Sequence, residues 1–144
     1  MVVRDLFSEY AESLGVDLGF QNFDAELASL PGAYIPPLGA LLVAEVEGQI
    51  VGCIALRPFE PPDVGEIKRL YVRPAGRGLG LGAALSKAIL AAARSAGYRR
   101  VRLDTMPFMK SAQALYRELG FREIPPYRFN PVAGTIFMEL ELAE

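Results

Sequence analysis

Histidine is absent from the 144-residue chain, which removes Ser–His–Asp triads and the common catalytic zinc sites. Acid–base chemistry must then use Tyr, Glu, Asp, Lys or water. A single cysteine, Cys53, leaves no partner for an internal disulfide and too few thiols for a zinc cluster. It stands in the apolar stretch Ile50-Val51-Gly52-Cys53-Ile54-Ala55, the setting of a small, inert core residue. No metal is expected. No apolar run approaches the ~20 residues that a membrane-spanning helix needs. The opening Met1-Val2-Val3-Arg4-Asp5 lacks the charged-then-apolar layout of a secretion signal, so the cytoplasm is the expected location. Net charge is only −2, with both signs mixed along the chain. A broad basic face for nucleic acid is therefore not expected.

What is present is a half-apolar chain, 51% hydrophobic, of the length of one domain spanning 1–144. Leu6, Phe7, Tyr10 and Leu14 are spaced for one face of a helix, and Gly15 offers a stop. A second short helix is expected over Asp24 to Leu30, ended by Pro31-Gly32, and Tyr34 to Gly39 reads as a loop. The period then changes. Ala40 to Val46 and Gln49 to Arg57 read as strands joined by a tight Glu47-Gly48 turn. A proline-rich loop follows from Pro58 to Asp63, then a strand from Glu66 to Val72 with one covered face. Leu81, Leu85 and Ile89 mark a long helix ending near Gly97. Val101 to Asp104 reads as a strand, Ser111 to Leu119 as a helix, and Phe121 to Ile124 and Thr135 to Leu142 as closing strands. The expected order is ααβββαβαββ: an α/β (α+β) domain with a mixed, mostly antiparallel sheet flanked by helices.

Between a strand and the long helix lies Arg77-Gly78-Leu79-Gly80-Leu81-Gly82. A helix start carries unpaired N–H groups and a partial positive charge, so it is a ready anion site. Glycines clear side chains from those donors, and Arg77 adds a cation. This points to a grip on a pyrophosphate; the plain alternative is a helix start that only packs closely on the sheet. A dinucleotide fingerprint also fits, as Gly78-x-Gly80-x-x-Ala83 with Asp104 about 20 residues on. Against it, Arg73 to Arg77 separate the glycines from their strand, and only about sixty residues follow Ala83.

Leu70-Tyr71-Val72-Arg73-Pro74 followed by the glycine turn resembles the core motif of the GNAT superfamily of acyl-CoA-dependent N-acetyltransferases. Arg77, Gly80 and Gly82 fill its (Gln/Arg)-x-x-Gly-x-(Gly/Ala) pattern. Ala112-Gln113-Ala114-Leu115-Tyr116-Arg117-Glu118-Leu119-Gly120-Phe121 is similar to the second motif, A-x-x-L-Y-x-x-x-G-F. The resemblance covers about Ala40 to Leu142 in element order. It implies acetyl transfer from acetyl-CoA, as co-substrate, to a primary amine of a small molecule or peptide, by direct attack in a ternary complex. It further implies that Leu70, Tyr71 and Val72 pair with the pantetheine arm. Arg77, Gly78, Leu79, Gly80, Leu81, Gly82 and Ala83 would hold the pyrophosphate, and Tyr116 would protonate the departing thiolate. The asparagine common three residues before the second motif's alanine is Met109 here, which removes one polar contact to the co-substrate. Relatives of this size often pair through edge strands, which makes a homodimer the implied assembly.

A phenol with a pKa of about 10 is close enough to a thiol's to serve as the acid; the plain reading of Tyr116 is a helix aromatic packed beside Ala112, Leu115 and Leu119. Glu66 is the candidate base, four residues before Leu70 and so expected on the same sheet face, against a solvated strand carboxylate. Lys68 on that face would lower its pKa. Arg128, in the loop Pro125 to Pro131, is placed to meet a carboxylate on the acceptor, against a plain solvent-facing role. A non-catalytic acyl-CoA-binding module and an NAD-type dinucleotide binder are the alternatives to an enzyme of this kind.

Overall fold

The hairpin that opens the sheet is built on a two-residue turn in which Glu47 (φ 51°) and Gly48 (φ 79°) both take positive φ, matching the right-handed twist of the strands it joins. The structure is a computed structural model describing residues 2–14, 34, 38–60, 63–128 and 132–142. Its elements are α1 (Val2–Leu14), β1 (Ala40–Val46), β2 (Gln49–Glu60), β3 (Val64–Val72), α2 (Leu81–Ala96), β4 (Arg100–Thr105), α3 (Lys110–Glu118), β5 (Arg122–Ile124) and β6 (Ile136–Glu141). A 3-10 turn, Pro74–Gly76, lies between β3 and α2. The helix expected over Asp24 to Leu30 lies outside the described residues. The six strands run in the order β1-β2-β3-β4-β6-β5. Every neighbouring pair is antiparallel except β3 and β4.

The sheet separates two cores. On one face α2 and α3 lay Leu85, Ile89 and Tyr116 against Ile54, Leu56, Ile67 and Leu103. On the other, α1 seats Leu6 and Phe7 against Cys53, Ala55 and Met106, so the helical spacing of Leu6, Phe7 and Tyr10 reads through directly. Cys53 is fully buried, and burial pushes its thiol up to about 12. Among the described residues no helix is long and apolar enough to cross a membrane.

Two departures from the sequence reading matter for the site. First, Pro58 to Glu60 continue β2 rather than forming a loop, with Pro58 opposite Gly65 and the register shifting between Pro58 and Glu60. An irregularity of this kind is where a strand accepts a proline. Second, β3 is covered on both faces: Val64 to Arg69 are all buried. A bulge also breaks its alternation. Cys53 and Ala55, two residues apart, oppose Tyr71 and Lys68, which are three apart. Arg69 absorbs the extra residue at φ 64°, a conformation that side chains other than glycine's enter at a cost. Before the bulge Ile67 faces α2; after it, Leu70 and Val72 take that face, and Tyr71 joins Cys53 on the α1 side. Glu66 and Leu70 therefore point to opposite faces.

Candidate active site

Strands β3 and β4 pair only from Val64 to Glu66 against Arg100 to Arg102. Beyond that they part, while β4 stays paired to β6 as far as Thr105. The parting opens one margin of β3 between Ile67 and Val72, where main-chain groups otherwise used in a ladder face a cleft.

That cleft has two adjoining parts. The outer groove, about 670 Å³, runs from the glycine turn along Leu70, Tyr71 and Val72 to the start of α3, where Phe108 and Met109 give it an apolar side. The inner pocket, about 20 Å³, lies at the splay among Leu70, Lys68, Asp104, Tyr10 and Tyr116. Tyr10, Leu70 and Met109 line both.

The glycine turn is open rather than packed. Gly78 (φ 83°) and Gly80 (φ 74°) take left-handed conformations, and a Cβ added at either would meet nothing within 4 Å. These glycines serve the backbone path and leave the space above it clear. The first intrahelical bond of α2 is Ala84 N–H to the Gly80 carbonyl, so the N–H groups of Leu81, Gly82 and Ala83 have no acceptor within the helix. Gly76 behaves differently: a Cβ there would lie 2.8 Å from a Val51 methyl, which marks a packing glycine. The helix start, the clear glycine backbone and the groove width together suit a diphosphate carrying a long apolar arm.

Of the residues expected to bind the co-substrate, the groove gathers Leu70, Tyr71, Val72, Arg77, Gly78, Gly80, Leu81 and Gly82. Leu79 is 57% exposed and lines neither space, nor does Ala83. The exposed Arg77 donates from Nε to the Val72 carbonyl at 3.2 Å, which folds its charge back over the end of β3.

Tyr116 packs as the plain reading expects and also reaches the pocket. It is buried, packs on Phe121 at 5.4 Å between ring centres, and belongs to the main core. It also lines the inner pocket beside Leu70. Burial, then the nearby Tyr10 and Asp104, push its phenol well above the ordinary 10, so it holds its proton throughout the neutral range.

Glu66 is fully buried but lines neither space. Its Oε1 accepts from Arg57 Nε at 2.9 Å, and its Oε2 accepts from the Tyr127 hydroxyl at 2.9 Å and pairs with Arg128. Burial pushes its carboxyl up, but Lys68, Arg128 and Arg57 together hold it below the ordinary 4.5. The expected effect of Lys68 is thus present, as one of three cations. A carboxylate so saturated with donors is an anchor, and poorly suited to take a proton. Arg128, expected either in solvent or on a substrate carboxylate, instead spans Glu66 and, at 3.9 Å, Asp104. Phe129 and Asn130 of the same loop lie outside the described residues. Asp104 lies on β4 at the inner pocket, away from the glycine turn where a ribose ligand would be needed.

Sequence reasoning missed Tyr10 and Lys68 as pocket residues. Tyr10 was legible only as part of an amphipathic helix stripe, and Lys68 only as a neighbour of Glu66. Burial pushes the Tyr10 phenol up to about 12. Burial and the adjacent Arg69 press the Lys68 ammonium down to about 8, against the opposing pull of Glu66 and Asp104.

The profile of the Acetyltransferase (GNAT) family matches residues 3–121. The chain belongs to this family. An uncharacterized N-acetyltransferase of Schizosaccharomyces pombe is 44% identical over 140 residues, covering 96% of this chain and 86% of that protein. A GNAT-family acetyltransferase of Staphylococcus aureus Mu50 superposes with a TM-score of 0.77 at 21% identity, over 96% of this chain and 92% of its own. The yncA protein of Salmonella typhimurium, solved with acetyl-CoA, gives a TM-score of 0.68 at 26% identity, over 90% of this chain and 76% of its own. This chain is an acetyl-CoA-dependent acetyltransferase. Membership of this family displaces the nicotinamide-dinucleotide alternative.

Proposed function

We propose that this acetyltransferase acts on a primary amine of a small molecule or peptide, by direct attack within a ternary complex, with Tyr116 as the acid. The observation that carries this reading is that Tyr116 and Leu70 line one water-sized pocket at the inner end of the groove. The bound acetyl-CoA supplies the acyl group and a thiolate leaving group. Around it, the chain's own parts are assigned as follows. Main-chain N–H groups from Leu81 to Ala83, with Gly78 and Gly80 clearing the approach, hold the diphosphate. The margin of β3 from Leu70 to Val72 holds the pantetheine arm. An N–H of that margin polarises the acyl carbonyl, an effect worth about 3 kcal/mol per well-placed donor. Tyr116 keeps its proton until the thiolate takes it.

Glu66 serves in this reading as an anchor for the loop between β5 and β6, in place of the base role expected of it. Action in the cytoplasm and pairing through an edge strand of the sheet complete the reading. Its test is a thiol-release screen with acetyl-CoA over amino acids, polyamines, aminoglycosides and peptide N-termini. Release with one amine class, abolished by acetylating that amine beforehand, supports the reading. Tight binding of the coenzyme with no release across the whole panel would instead favour a non-catalytic acyl-CoA-binding module.

A further inference from the structure

Besides Tyr116, the inner pocket is lined by the ionisable side chains Tyr10, Lys68, Arg69 and Asp104, and of these Lys68 is the one whose charge state lies closest to neutrality. We infer that Lys68 is the general base, taking the proton that an incoming ammonium must lose beside Tyr116. This rests on the amine-acceptor reading above.

Position comes first. Lys68 is the last residue of β3 before the bulge at Arg69, so it stands at the point where β3 and β4 have parted. It shares the 20 Å³ pocket with Leu70 and Tyr116. That volume holds about one water molecule, which sets the span of any proton relay between the lysine, the phenol and an amine at the pocket mouth.

The surroundings come second. Lys68 is 5% exposed, so its charge state is decided by neighbours rather than bulk water. Those neighbours are Glu66 and Arg69 on β3, Arg57 on β2, Asp104 on β4, Tyr10 on α1, Tyr116 on α3, and Arg128 of the β5–β6 loop reaching in over Asp104. The carboxylates stabilise its ammonium, but Glu66 already answers Arg57 and Arg128. Burial and the Arg69 charge favour the free amine. The balance leaves a lysine that both takes and releases a proton near neutrality, as a base requires. Glu66, the rival base, lines neither space.

The protons balance. A protonated acceptor carries three N–H hydrogens and its amide product one. As the ammonium N–H bond breaks, the new bond forms at Lys68 Nζ, leaving a neutral amine to attack the acyl carbon. The second hydrogen leaves the acylated nitrogen for the Tyr116 oxygen, replacing the proton that this phenol gives to the thiolate. Lys68 then returns its proton to solvent. One proton ends on sulfur and one in water.

The chain has three lysines, Lys68, Lys87 and Lys110, so a lysine 13Cε NMR titration of the whole protein resolves each, with Lys68→Arg assigning the signal. The expected Lys68 midpoint is near 8; a Lys68 midpoint at or above 10 overturns the inference. The kinetic arm measures thiol release from acetyl-CoA with an alanine-headed tripeptide, spermidine and propylamine. Lys68→Arg and Lys68→Met should each lose about 100-fold or more in turnover. Both should also lose the rise of kcat/KM with pH, while coenzyme A affinity by calorimetry stays within about twofold. Arginine keeps the charge but cannot give up its proton, so activity retained in Lys68→Arg would show a purely structural cation and overturn the base alone. A wild-type enzyme that releases thiol with none of these amines would overturn the amine-acceptor reading and the base with it.

Discussion

The Tyr127 hydroxyl donates to Glu66 Oε2 at 2.9 Å, fastening the loop between β5 and β6 onto β3. Arg128, the next residue, pairs with the same oxygen, and Arg57 closes on the other one. Tyr127 itself is wedged between Phe59 and Phe137, each 4.9 Å away between ring centres. The loop is thus held by one buried carboxylate and two edge-to-face aromatic contacts.

Glu66→Gln leaves two arginines and Lys68 facing a neutral amide. Breaking a buried ion pair from one side costs about 3 kcal/mol or more, so a loss of roughly that size in urea-denaturation free energy is expected. The pH dependence follows from the lowered pKa of Glu66. Stability from this group is fully present above its unfolded value of about 4.5 and is lost as pH falls through the lower folded value. The gap between the two proteins should therefore be constant from about pH 6 to 7 and narrow only in acid. A gap that is negligible at pH 7 would show that the network does not hold the loop.

Tyr116→Phe keeps the ring packed on Phe121 and removes only the hydroxyl. Turnover should fall by about 100-fold or more, the usual span for a lost general acid. Acetyl-CoA affinity, read by calorimetry, should hardly move. Because the phenol is raised above its ordinary pKa, wild-type activity should show no alkaline loss from Tyr116 ionisation up to about pH 10. Unchanged turnover in the variant would assign the acid elsewhere.

The two glycine types at the groove should separate cleanly. Gly80→Val forces a branched residue into φ 74° and puts a side chain into the open space over the turn. Binding of acetyl-CoA should weaken at least tenfold, with a stability cost of about 1–2 kcal/mol from the left-handed backbone. Gly76→Val instead drives a side chain into Val51 and Leu81. It should appear mainly as a lower melting temperature. Equal effects of both variants on affinity would mean that the turn merely packs.

Much of this was legible from local pattern. The β1–β2 hairpin, the bounds of α2 and the glycine turn follow from periodicity and turn chemistry, which act within a few residues. The bulge was not legible: nothing in Ile67-Lys68-Arg69-Leu70 marks which residue will be extra, because the partner strand decides it. A strict two-residue alternation therefore placed Glu66 beside Leu70. The charged residues of β3 were taken for an exposed face, whereas Glu66, Lys68 and Arg69 are buried. Burial of such residues depends on counter-charges from β2 and the β5–β6 loop, the latter's Arg128 standing 62 residues from Glu66 in sequence. Tyr10 was hidden for the same reason, since its place at the pocket depends on how α1 docks across the sheet.

The most direct test is calorimetric titration of the purified enzyme with coenzyme A, repeated with NAD and with the Gly80→Val variant. Saturable one-to-one binding of coenzyme A to the wild type, lost or greatly weakened in Gly80→Val and not seen with NAD, is the expected result. No heat with coenzyme A, or equal affinity in wild type and variant, would contradict the placement of the diphosphate at the start of α2.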